Sequence, residues 1–211
     1  MDKLSKMFEI AEPFFRQKLS GNMKTLVKGF SDNRKDISND FANRVKNLYA
    51  LAAQQQQEAS KNPVSYLCIA YLRSSLITKT YDFRLSLHSN EFYTDPVETC
   101  GYWKPGFLLG HIEHDMKELQ AMLRREPSIV QVSDFDIKEV EYSYALAHMF
   151  TAVFFMNSLI KETFEKAEAE SWEAPIFSDD FAVVFGGHME NVYEVYPNYT
   201  GPKIPDEVMA L

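Results

Sequence analysis

The chain has 211 residues, of which 45% are hydrophobic, 14% aromatic and 25% charged. That is the profile of a globular fold, and it excludes collagen-like, low-complexity and disordered chains. The net charge of -8 is divided unevenly: residues 1–61 hold 11 Lys and Arg against 7 Asp and Glu, and residues 62–211 hold 11 against 23. An acidic C-terminal part, and an N-terminal part whose bases are scattered with only Arg34 and Lys35 adjacent, argue against a nucleic-acid partner and predict an acidic surface.

Two cysteines, Cys68 and Cys100, cannot build a disulfide framework, and Cys68 sits in an apolar run where a thiol behaves as a small hydrophobe. The N-terminal stretch carries Asp2, Glu9 and Glu12 where a secretory signal would need an uninterrupted apolar core. Both features predict a cytoplasmic protein. Residues 142–160 carry no formal charge and are long enough to cross a bilayer. Five polar side chains interrupt them (Ser143, His148, Thr151, Asn157, Ser158) and no Lys or Arg cluster flanks them, so a buried core helix is expected and no membrane partner.

In chain order, apolar residues recur at three- and four-residue steps over 4–19, a helical face with Pro13 inside it, so a kink or a break is expected near Glu12. A short segment at 23–30 ends in the turn-forming Ser31-Asp32-Asn33. The stripe Ile37, Phe41, Val45, Leu48 and Ala52 predicts a helix over 36–58, stopped by Asn62-Pro63. Residues 64–78 are apolar on most sides and read as a buried helix, with β-branched and aromatic content that leaves a strand open. Strict alternation over 81–88 predicts a strand, followed by a long irregular connection, 89–106.

A second amphipathic helix is expected over 107–125, a short strand over 129–132 and a long helix over 136–168. Strand-like runs at 181–185 and 192–196, separated by Gly186-Gly187 and a polar stretch, predict a hairpin, and the proline-rich residues 197–211 an extended tail. Together these elements predict a mostly helical α+β fold: helices around a central hydrophobic helix, with a small antiparallel sheet. Residues 1–196 are expected to form one globular domain, with a helical N-terminal subdomain over 1–62 as the alternative division.

Chemical motifs are sparse. Gly101 to Gly106 has the glycine spacing of a phosphate loop, but Phe107 and Leu108 stand where a Lys and a metal-holding hydroxyl are required. The sharpest constellation is a metal flank: His111, Asp115 and Glu118 stack along one helix, and Glu141 and His148 lie seven apart on another, a mixed nitrogen and oxygen set suited to zinc, iron or manganese. A thiol nucleophile could pair Cys100 with His88. The aromatic residues Phe92, Tyr93, Tyr102, Trp103 and Phe107 flank the long connection and suit a partner or ligand contact.

The expectation from sequence is a non-enzymatic cytoplasmic interaction or regulatory protein that binds another protein, or a second copy of itself, through an acidic surface and this aromatic loop. No cofactor is expected. The alternative is a metal-binding protein or small metal-dependent enzyme using a divalent ion at the His, Asp and Glu flank.

Overall fold

The computed structural model describes residues 2–129 and 131–202. Its first helix, α1 (Lys3–Asp32), runs unbroken through Pro13, contrary to the expected kink or break and separate second segment. Pro13 and Glu9, whose carbonyl loses its helical partner, both lie on the exposed face, while Met7 and Ala11 anchor the buried one. The carbonyl that the proline frees therefore lies on the side open to solvent. Helix α2 (Arg34–Gln57) follows after Asn33 and buries Phe41, Val45, Leu48 and Ala52 of the expected stripe.

Residues 64–78 are not a helix: they form strand β1 (Val64–Tyr71) and a short helix, α3 (Arg73–Ile77). β1 is the middle strand of the sheet and is covered on both faces, so an apolar run without alternation is what such a strand requires. Strand β2 (Phe83–His88) pairs antiparallel with β1, and the connection after it contains a 3-10 turn (Phe92–Thr94) and an unanticipated edge strand, β3 (Cys100–Trp103). The expected helix over 107–125 is split at Gly110 and His111 into α4 (Gly106–Leu109) and α5 (Ile112–Arg125). Of the short strand expected at 129–132, Ile129, Gln131 and Val132 are irregular, and Val130 lies outside the described residues.

The uncharged segment is helical and mostly buried. It spans α6 (Asp134–Phe150), opened by a reciprocal cap between Ser133 and Asp136, and α7 (Val153–Ala169). Between them the Thr151 hydroxyl bonds the His148 carbonyl, and the amides of Thr151 and Ala152 reach back three residues, which tightens the helix for one turn. Strands β4 (Phe177–Gly187) and β5 (Val192–Tyr196) form the C-terminal antiparallel hairpin. A Cβ on Gly186 would lie 2.5 Å from the Asn191 carbonyl oxygen, so only glycine fits that close approach. Past β5, Thr200 bonds the Glu194 backbone and Tyr199 packs on the core; the remainder of the expected tail, residues 203–211, lies outside the described residues.

The fold is thus α+β and mostly helical, with a five-stranded sheet in the order β3-β2-β1-β4-β5. It is mixed rather than purely antiparallel, because β1 and β4 run parallel. A parallel partner needs a crossover, and the whole helical stretch from α3 to α7 lies between these two strands in sequence. Inward side chains of the sheet, among them Leu67, Ile69, Phe83, Leu85, Val183 and Phe185, join the helices in one core that also takes Met7, Leu26, Phe41 and Val45 from before residue 62. On the other face lies a separate small cluster, Cys68, Ala70 and Val184, against which Tyr66, Phe92 and Val192 pack.

Candidate functional site

The five residues of the expected metal flank are distributed over separate contacts. Asp115 and Glu118 do come together, but the Lys18 ammonium of α1 sits between them, 3.2 Å from Asp115 and 2.5 Å from Glu118. Asp115 also accepts from Asn22 Nδ2 at 2.7 Å and from the Tyr144 hydroxyl. Glu141 faces Gln120, whose amide donates to it at 2.8 Å, and burial raises its carboxyl above the ordinary value. His148 is fully buried; its Nε2 donates to the Leu108 carbonyl at 2.6 Å, and its Nδ1 has no partner. His111 occupies the N-cap position of α5 without a side-chain cap bond. Among the described residues no three His, Cys, Asp or Glu side chains gather as a metal-holding group.

Two buried imidazoles, His148 and His88, and a half-buried one, His188, have a consequence for acid stability. Burial, as the largest cause, depresses His148, His88 and His188 below the ordinary 6.5. As pH falls through 6.5 the unfolded chain takes protons that the folded chain refuses, so stability declines with acid in that window. Glu141, raised above 4.5, works in the opposite sense at lower pH and is a single group. The unfolding midpoint is therefore expected to be lower at about pH 5.5 than at about pH 7.5. A flat or rising thermal midpoint over that interval would contradict this assignment.

The aromatic loop divides between the two faces of the sheet. Trp103 is buried in the main core, edge-on to Phe41 at 4.9 Å, and donates to Asp40; Phe107 packs between Phe30 and Phe155. Alternation in β3 withdraws Trp103 inward opposite Phe83 and sends Tyr102 outward opposite Arg84, while Phe107 stays half-buried. Phe92 and Tyr93 cap the outer face. Their rings meet at 4.4 Å, and Tyr93 stands edge-on to His188 at 5.3 Å and accepts the Met189 amide at 3.0 Å. Phe92 adopts φ 53°, the left-handed region that costs a side-chain-bearing residue about 1–3 kcal/mol.

A buried ion pair holds that turn. Lys61 Nζ lies 3.0 Å from Asp95 Oδ2 and donates to the Val97 carbonyl at 2.9 Å, with both charged side chains essentially inaccessible. Asp95 also accepts the amides of Ser89 and Val97. Burial alone would raise its carboxyl; the Ser89 amide, the Lys61 ammonium and the Val97 amide outweigh that and hold it low. Neither Lys61 nor Asp95 is visible as a site in the sequence, where they stand far apart among ordinary charges.

The remaining polar groups of this face pair with one another, except that Arg84 Nε and His188 Nδ1 have no partner among the described residues. Arg84 reaches Glu98 at 2.6 Å and His188 at 3.3 Å, and Cys100 donates to the same Glu98 oxygen. Ser86 Oγ lies 2.8 Å from His88 Nε2, and His88 Nδ1 is 3.0 Å from the Phe92 carbonyl. That spacing resembles a nucleophile with an oriented base, but Ser86 is only 2% exposed. The expected Cys100–His88 pairing is replaced by these contacts. Burial pushes the Cys68 thiol up to about 11 and also raises Cys100, with Glu98 adding to the latter, so neither thiol is activated. Comparison of the chain with protein families, characterised proteins and solved structures gives no match.

Proposed function

We propose that this is a non-catalytic interaction protein that docks a protein partner on the outer face of its sheet. Phe92, Tyr93 and Tyr102 supply the aromatic contacts, with Glu91, Glu98 and Glu190 at the margin. The observation that carries this reading is the asymmetry of the sheet: one face belongs to the main core, while the other bears a small cluster capped by an aromatic turn in a strained conformation. Two large side chains beside that cap, Met189 at 69% and Tyr102 at 54%, stand exposed. Clustered aromatic and Met side chains are what partner interfaces favour. Two free thiols support placing the protein in the reducing cytoplasm. Glu98 is paired with Arg84 and Glu190 with Arg73, which leaves Glu91 at the margin for a basic side chain of the partner.

Photo-crosslinking tests it directly. Benzoylphenylalanine placed at Met189 or at Tyr102, and irradiated in cells that make the protein, is expected to give a discrete adduct. The same probe at Phe135, equally exposed at the start of α6, should give none. An adduct of twice the chain's mass would identify a second copy as the partner. Labelling at the two sheet positions no stronger than at Phe135 would overturn the proposal.

A further inference from the structure

A second concave site lies where the C-terminal end of α7, the segment 170–176 and the start of β4 meet α2 and β5, a cleft of about 450 Å³. Six aromatic side chains from five segments line it: Phe164, Phe177, Phe181 and Tyr196, half-buried, and Tyr49 and Trp172, buried. They follow one another without a gap. Trp172 meets Tyr49 at 6.4 Å, Tyr49 meets Phe177 at 5.3 Å, Phe177 meets Phe181 at 4.6 Å, Phe181 meets Phe164 at 6.1 Å and Phe164 meets Tyr196 at 4.9 Å. Interplanar angles run from 55° to 79°, so no ring loses a face to parallel stacking against its neighbour.

Charge selects among the guests such a wall could hold. Among the described residues, Glu168 is the one charged side chain in the lining. The segments that carry the lining also hold Glu165, Glu170, Glu173, Asp179 and Asp180, all exposed, with Lys166 as the single base between 165 and 180. Two ammonium groups of this region are already engaged: Lys166 bonds Asn39, and Lys46 lies 3.1 Å from Glu170 and 5.1 Å from the Trp172 ring centroid. The chain's own Lys46 thus uses a carboxylate and an aromatic ring of this region together, the same pair of partners the cleft offers to a guest. An anion would meet no base among the described residues of the lining. A bare ammonium asks for three acceptors, and beside the Glu168 carboxylate the lining offers only the hydroxyls of Ser171, Tyr49 and Tyr196 among six rings, whereas an alkylated ammonium spreads its charge over carbon-bound hydrogens and is satisfied by ring faces.

We propose that this cleft binds a small organic cation, an alkyl- or aryl-ammonium whose apolar body lies among the six rings with its nitrogen near Glu168. The volume suits such a molecule. The site is separate from the outer sheet face, and neither proposal depends on the other.

Titration of the full chain with benzyltrimethylammonium, choline and choline's neutral carbon twin, 3,3-dimethylbutan-1-ol, tests it by calorimetry and tryptophan emission. Choline is expected to bind about tenfold more tightly than its twin. Glu168→Gln, at the exposed end of α7 where the fold tolerates it, should weaken both cations several-fold and leave the twin unchanged. Emission should change through Trp172 and not through the core residue Trp103, so the emission signal should vanish in Trp172→Phe, with the heat of binding weakened because the indole is part of the wall. Equal affinity of choline and its twin would overturn the proposal by showing a merely apolar cleft. So would the absence of heat and emission change with all three probes at about 10 mM, where even a millimolar dissociation constant saturates the site.

Discussion

Lys61→Met is expected to cost about 3–5 kcal/mol of unfolding free energy, because it strands a carboxylate that water cannot reach. Asp95 keeps the Ser89 and Val97 amides in that variant but loses its only cation. The sharper expectation concerns the second substitution: Lys61→Met with Asp95→Asn should be more stable than Lys61→Met alone. An asparagine oxygen still accepts the Ser89 amide and carries no charge to desolvate. Urea unfolding of the two single variants and the double one gives the coupling directly. A double variant less stable than Lys61→Met would show that the pair is not the clamp described. Because Asp95 organises the segment that presents Phe92 and Tyr93, the single variant should also lose the photo-adduct at Met189, whose amide depends on Tyr93.

The same clamp shows why parts of this fold could be read from the chain and others could not. Helices α2 and α5 bury one stripe each, so their 3.6-residue period survives in the order of apolar residues. β1 has no such signature: with both faces covered it is apolar throughout, and helix and strand then differ only in β-branched content. β3 is four residues long, and its alternation acquires meaning only once Tyr102 and Trp103 are registered against Arg84 and Phe83. Spacing correctly placed Asp115 and Glu118 side by side on α5. It could not show that α1 delivers Lys18 between them, since tertiary contacts leave no period in the sequence. The six rings of the cleft, drawn from residues 49 to 196, are hidden for the same reason.

Asp115→Ala is the second large effect expected, about 2–4 kcal/mol, and it should act chiefly on α1. The carboxylate is buried and receives three donors: the Tyr144 hydroxyl from α6, the Asn22 amide and the Lys18 ammonium from α1. Removing it leaves a fully buried phenol and a part-buried amide without acceptors, and each unsatisfied group costs about 1–3 kcal/mol. Lys18 keeps Glu118, so the loss on that side is small. Tyr144→Phe removes one donor and spares the other two, and should cost about 1 kcal/mol. Hydrogen exchange ought to report the change as faster opening of α1, with β1 and β4 protected as before. Acid should act at the same point. Although burial opposes ionisation, Tyr144, Asn22 and Lys18 hold the Asp115 carboxyl below 3.8. Its contribution is therefore present above that pH and lost as pH falls through the lowered folded value. The gap between the native chain and Asp115→Ala should close in that acid range; a gap that persists there would assign the effect to lost packing instead of to the charged network.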